Sequence, residues 1–249
     1  MRSLFVLLML VALRAPAQEL VVAAAADLEP ALREIAAGYE HENGTKLKMT
    51  FGSSGNFFTQ IENGAPYELF FSADIDYPRK LEREGKAVPG SLYRYAHGKL
   101  VMWTPNASKL DLAGGLKILN TSAVRKVAIA NPQHAPYGRA AVAAMKAAGV
   151  YEAAEPKLVV GENISQTAQF VLTGNADVGL IALSLAMSPN MKGEGRYVEV
   201  PADLYPPIEQ AAIISAASKS KQEAARFLSY MKTPAAKQIL RKYGFVISD

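Results

Sequence analysis

Apolar and polar positions along the chain alternate between two periods. Short apolar runs bounded by Gly, Pro, Asn or Ser read as buried strands, and stretches with apolar residues three and four apart read as helices. Residues 20–25 (LVVAAA) predict the first strand; Leu28, Leu32, Ile35, Ala36 and Tyr39 then fall on one helical face, and Gly44 ends that helix. Strands follow at 47–51 and 68–72, with a short helix between them carrying Phe57, Phe58 and Ile61. A helix is expected at 77–84, with Gly85 at its C-terminal cap. Further strands are expected at 100–104, 127–130, 158–160, 177–182, 197–200 and 208–215, and helices at 138–148, 165–172, 221–231 and 235–243. Regular alternation of this kind predicts an α/β layered fold. No repeat or low-complexity linker interrupts it; the one boundary-like stretch is the Pro-rich 201–207 (PADLYPP).

The N-terminus departs from this pattern. Met1 and Arg2 precede a ten-residue apolar run, 4–13 (LFVLLMLVAL), and Ala15-Pro16-Ala17 places small residues at A-x-A spacing. This predicts a secretory signal peptide at 1–17, cleaved after Ala17, rather than a buried helix or a membrane anchor. The correction changes the charge argument. The 249-residue chain carries a formal net charge of +4, but Arg2 and Arg14 leave with the signal, so the exported chain is nearly neutral at +2. With no long Lys/Arg run, nucleic acid is not expected as a partner. The absence of cysteine excludes disulfides, thiolate metal sites, a cysteine nucleophile and lipidation through an N-terminal cysteine. A soluble, unlipidated periplasmic monomer is the expectation.

Enzyme motifs are weak. Gly52-Ser53-Ser54-Gly55-Asn56 approaches the G-x-S-x-G elbow of serine hydrolases but ends in Asn, and nothing links His41, His97 or His134 to it. Asp74-x-Asp76 reads as a turn or cap as readily as a metal pair, and no phosphate loop or dinucleotide fingerprint is present. No catalytic residues and no cofactor are assigned. What recurs is a strand running through small or polar residues into a helix. It happens at Ala25-Ala26-Asp27-Leu28, Gly52-Ser53-Ser54-Gly55, Ala135-Pro136-Tyr137-Gly138 and Gly161-Glu162-Asn163-Ile164-Ser165. Each helix start offers unpaired N–H groups at the positive end of the helix dipole. Converging, such ends bind an oxyanion without Lys or Arg; singly, they serve as ordinary caps.

These residues sit in longer motifs. AAAADL (23–28), FGSSG (51–55), NGAPYELFFSAD (63–74), ANPQHAPYG (130–138), GENISQ (161–166) and RKYGF (241–245) resemble the periplasmic molybdate-binding proteins of ABC importers. The resemblance implies a two-domain periplasmic binding protein fold of type II with a hinge of two crossover segments. Domain one would comprise 18–97 plus 206–249 and domain two 98–205, with crossings near His97-Gly98 and through 201–207. It implies capture of molybdate or tungstate in the cleft and delivery to a membrane permease. The implied contacts are Ala26 and Asp27, Ser54 with Ser53 beside it, Tyr137 through its N–H or hydroxyl, and the N–H of Ile164; the only metal concerned is the one within the oxyanion. A tyrosine that some relatives add is replaced here by Ala182. Asp27 is the main departure, because a carboxylate facing a dianion is repelled by roughly 4 kcal/mol per unit of charge product at 4 Å. Capping of its own helix by Asp27, with only its N–H offered to the anion, is the expected resolution; a protonated carboxyl is the other. The alternatives are the same scaffold tuned to sulfate or phosphate, or a secreted serine hydrolase using Ser54.

Overall fold

The computed structural model describes residues 19–247, so the expected signal peptide lies outside the described residues. The strands are β1 (Glu19–Ala25), β2 (Lys46–Gly52), β3 (Leu69–Ser72), β4 (Tyr93–Gly98), β5 (Leu100–Pro105), β6 (Val127–Ala130), β7 (Leu158–Gly161), β8 (Val178–Ala182), β9 (Gly195–Glu199) and β10 (Ile208–Ile214). The helices are α1 (Glu29–Asn43), α2 (Ser54–Glu62), α3 (Asp76–Arg83), α4 (Pro136–Ala147), α5 (Tyr151–Ala154), α6 (Ile164–Leu172), α7 (Leu183–Ala186), α8 (Lys221–Tyr230) and α9 (Pro234–Lys242).

The strands form two five-stranded mixed sheets, ordered β2-β1-β3-β10-β4 and β7-β6-β8-β5-β9. In the first, β1 runs parallel to β2 and β3 while β10 is antiparallel to β3 and β4. The second repeats the arrangement, with β6 parallel to β7 and β8 and with β5 antiparallel to β8 and β9. The architecture is the α/β fold expected from the alternation. Lys99 alone separates β4 of one sheet from β5 of the other, and residues 200–207 make the return. The return contains a short 3₁₀ helix (Ala202–Leu204) within the Pro-rich stretch.

Local sequence explains most elements. In α1, Ala31, Leu32, Ile35, Ala36 and Tyr39 are buried on one face, Pro30 sits in the first turn, and Gly44 adopts φ +73° while its N–H caps the carbonyl of Glu40. α4 is Ala-rich on the face against the second sheet and also opens on a proline. β4 is absent from the pattern-based expectations because YRYAHG interleaves tyrosines with Arg94 and His97; pairing with β10 makes it a strand. The 3₁₀ segment Leu112–Asn120 and the four-residue α7 are likewise missing from them.

Hydrophobic burial follows the two sheets. Trp103, Leu100, Met102, Ile181 and Met145 fill the second, and Leu32, Tyr39, Phe71, Phe227 and Leu240 fill the face of the first that carries α1, α8 and α9. The cluster of the second sheet extends to Ala25, Ala26, Ala73 and Ile208 of the first, with Phe51 packed against it, so an apolar contact joins the halves.

Candidate functional site

The parallel strands β1, β2, β6 and β7 end at the same level. Ala25 pairs with Gly52 at the end of β1 and β2, and Ala130 pairs with Gly161 at the end of β6 and β7. The carboxyl ends of parallel strands are where open α/β sheets place their ligands. Here two such edges face each other, and all four sequence-selected junctions meet. Ala26, Asp27, Ser53, Ser54, Tyr137 and Ile164 line one small, partly open pocket, with Ala25, Gly52, Ala73, Ala135 and Pro136 completing the wall. No Lys or Arg is among the lining residues, and Asp27 is the only charged one.

The donors are of two kinds. Tyr137 and Ile164 stand in the first turns of α4 and α6, where helix geometry leaves N–H groups without intrahelical acceptors. Asn163 caps α6 by accepting from the N–H of Gln166 at 3.0 Å, which leaves the N–H of Ile164 at the helix start. Ser54 opens α2, and its Oγ accepts the N–H of Ala73 at 2.9 Å, so its own proton is free to donate. Ser53 differs. Its hydroxyl donates to the backbone carbonyl of His134 at 2.6 Å and lies 2.8 Å from His134 Nδ1, which assigns the ring proton to Nδ1. The serine proposed for a hydrolase, Ser54, therefore has a backbone amide as partner rather than an imidazole. The serine that does meet an imidazole spends its proton on a carbonyl.

Asp27 does not cap its helix. It lies inside a 3₁₀ turn (Ala26–Leu28) whose cap position falls on Ala25, and no side chain caps that turn. Its carboxylate instead reaches across the molecule. Oδ2 accepts from the Tyr137 hydroxyl at 3.0 Å and from Gln210 Nε2 at 2.5 Å. The Tyr95 hydroxyl donates to Gln210 Oε1 at 2.7 Å, which fixes the orientation of that amide. Asp27 is fully buried. Burial is the main influence on the carboxyl and pushes its pKa up to about 6, against the pull of Gln210, Tyr137 and the N–H groups of Asp27 and Leu28. Burial and the nearby Asp27 hold the Tyr137 and Tyr95 hydroxyls well above the usual tyrosine range, so both remain proton donors. The Tyr137 hydroxyl is thus committed to Asp27, and its backbone N–H is the group left for the pocket. Ala182, buried at the end of β8, supplies no hydroxyl.

Contacts between the two halves ring this pocket. The Ser184 hydroxyl donates to the carbonyl of Asp27 at 2.7 Å, and that of Ser165 to the carbonyl of Ala26 at 3.2 Å. Gly55 N–H donates to the His134 carbonyl at 2.9 Å, Asn56 Nδ2 donates to Glu162 at 2.6 Å, and Arg139 pairs with Asp74. Gln210, Tyr95 and Ser184 were not singled out by sequence because each is an isolated polar residue in an unrelated segment; Ser165 was named only within its junction, and His134 only as a histidine that nothing linked to the serines. Gly55 is the tightest of these approaches: a Cβ there would lie 2.7 Å from the His134 carbonyl oxygen and 2.8 Å from the Tyr77 hydroxyl. Gly55→Ala is therefore expected to hold the halves apart, weakening anion binding at least about tenfold while changing the ligand-free melting temperature by less than about 2 °C. Calorimetric titration beside a thermal melt checks both. Among the described residues no group of three or more His, Cys, Asp or Glu is placed to hold a metal, and no helix is long and apolar enough to cross a membrane.

Comparison with known proteins shows the family. The family model of bacterial extracellular solute-binding proteins matches residues 20–246. The molybdate-binding protein ModA of Rhodobacter capsulatus is 45% identical over 240 residues, covering 96% of this chain and 93% of that protein. That of Azotobacter vinelandii is 42% identical over 236 residues, covering 95% and 93%. The solved periplasmic molybdate-binding protein of Azotobacter vinelandii superposes with a TM-score of 0.86 at 35% identity, covering 92% of this chain and all of that one. The sulfate-binding protein SubI of Mycobacterium tuberculosis shares the fold at a TM-score of 0.75, with 15% identity over 93% of this chain and 88% of its own. This chain belongs to the bacterial extracellular solute-binding protein family, with its high-identity relatives among the periplasmic molybdate-binding proteins.

Proposed function

We propose that this chain captures molybdate or tungstate in the periplasm and delivers it to the membrane permease of an ABC importer. The observation that carries the reading is the pocket itself: helix starts of α2, α4 and α6 meet a free serine hydroxyl in a small pocket lined by no basic residue. The dipoles and first-turn N–H groups favour a compact anion. The ligand's metal is already enclosed by its own oxygens, so the chain's groups meet oxygen and need only donate hydrogen bonds. Ala26, Ser54, Tyr137 and Ile164 would bind it through backbone N–H groups and the Ser54 hydroxyl, with Ser53 holding the facing His134 loop and Asp27 on the pocket floor. The molybdate-binding relatives favour this anion over sulfate or phosphate.

The two lobes, 18–97 with 206–249 and 98–205, turn about the crossings at Lys99 and 200–207. An anion that bonds both lobes stabilises the closed form by its differential affinity. The closed monomer then presents both lobes to the permease, and ATP hydrolysis occurs elsewhere; this chain performs no catalysis. Export with cleavage after Ala17 and no lipid anchor fits a sequence without cysteine.

Thermal melts with molybdate, tungstate, sulfate and phosphate test the reading. Ligand at about 100 times its dissociation constant adds about 2.7 kcal/mol, a rise of about 5–10 °C for a chain of this size. Such a rise with molybdate and tungstate is expected. A rise with sulfate or phosphate and none with either metal oxyanion would refute it.

A further inference from the structure

Asp27 is the one charged group lining the pocket, it is fully buried, and only half of it is satisfied. Oδ2 carries two donors, the Tyr137 hydroxyl and Gln210 Nε2, whereas Oδ1 has no hydrogen-bond partner. The N–H groups of Asp27 and Leu28 pull on the carboxyl, but their geometry leaves Oδ1 without a partner. The rest of the wall presents donors: helix-start N–H groups and the Ser54 hydroxyl. A neutral carboxyl oriented this way has a saturated carbonyl-like oxygen and an O–H in search of an acceptor, and an oxyanion is the acceptor that enters here.

We propose that Asp27 is a specificity-determining donor, binding the anion as a neutral acid through Oδ1–H, so that the pocket takes up the anion together with one proton from solvent. This rests on the oxyanion reading above. Among the described residues no cation faces an ionised Asp27 to offset it. The groups facing it are Tyr95 from β4, Tyr137 from α4 and Gln210 from β10. The helices α6 and α7, which pack on its turn, carry no charged residue. Glu29, at the start of α1, is bridged to Arg33 at 2.8 Å, and Arg139 of α4 is paired with Asp74. Burial already raises the carboxyl to about 6 without ligand. A bound dianion adds a like charge and raises it further. Above that value the free protein is ionised and the complex is not, so the proton must be acquired on binding.

Calorimetric titration of the mature protein with molybdate, from about pH 5.5 to about pH 8.5 in two buffers of different ionisation heat, reads this directly. Proton uptake is expected to approach about one per anion at the upper end, with the dissociation constant rising about tenfold per pH unit above about pH 6. Asp27→Asn, whose amide donates without titrating, is expected to flatten both the pH profile and the buffer dependence, and to bind more tightly than wild type at about pH 8. Wild-type binding with buffer-independent heat and a flat profile would overturn the proposal while leaving the anion reading intact. So would uptake that persists in the Asn variant, since it would then not come from Asp27. No molybdate heat from either protein at any pH would overturn the anion reading and this inference with it.

Discussion

Gly138→Ala is expected to melt about 6–12 °C below wild type and to bind molybdate about 100-fold more weakly. A Cβ at this position would lie 2.1 Å from the carbonyl oxygen of Ala130 and 2.7 and 2.9 Å from the carbonyl carbons of Ala130 and Asn131. All three are backbone atoms at the end of β6, so no side-chain rotation relieves the clash and α4 has to lift off the sheet. Overpacking of this kind costs about 3 kcal/mol, and a chain of this size loses about 2–4 °C per kcal/mol. The affinity falls because the displaced first turn carries Tyr137. Its N–H leaves the pocket, and its hydroxyl leaves Asp27. A hydrogen bond to a charged partner is worth about 1.5–3 kcal/mol, and each 1.4 kcal/mol is tenfold in affinity. Denaturant unfolding and calorimetric titration of the variant measure the two effects. A wild-type melt would mean that α4 is less firmly seated on β6 than the close approach implies.

Without ligand, Asp27→Asn is expected to be more stable than wild type by about 3 kcal/mol above about pH 7, with the difference gone near pH 4. The sign follows from the direction of the shift. Burial raises the folded carboxyl from 3.8 to about 6, so the folded protein holds this proton where the unfolded chain has released it. Stability therefore falls as pH rises from about 4 to about 6, and above that the full penalty applies: about two units at 1.36 kcal/mol each. Asparagine accepts from Tyr137 and Gln210 through its carbonyl and carries no ionisation penalty. Urea unfolding of both proteins at about pH 4, 6 and 8 checks this. Equal differences at all three would trace the stabilisation to packing rather than charge.

The contrast between the junctions and Asp27 shows what sequence can carry. The strand ends at Ala25, Gly52, Ala130 and Gly161 were legible because each apolar run stops at residues that favour turns or caps, and those signals act over a few residues. β4 was not, because its tyrosines alternate with Arg94 and His97, and only β10, more than a hundred residues later, supplies its partner. Asp27 looked like a local cap for the same reason that the junctions looked like junctions: Asp ahead of a proline-started helix is a short-range pattern. Its side chain is decided instead by Tyr137 and Gln210, 110 and 183 residues away, and a 3₁₀ turn moves the cap position off it. The same distance hides the Ser53–His134 pair, 81 residues apart. Which residues border the pocket followed from local chemistry; what each does there follows from the tertiary fold.

In the hinge proposed above, the one-residue crossing at Lys99 is the pivot. Gly98, beside it, is packed so closely that a Cβ would meet the Tyr137 hydroxyl at 2.0 Å and Gln210 Nε2 at 2.8 Å. In that hinge the buried network under the anion would lie beside the pivot, where displacement is small. The exposed Asn56–Glu162 bond would lie on a longer arm. Opening would then break the rim before the anion floor comes apart.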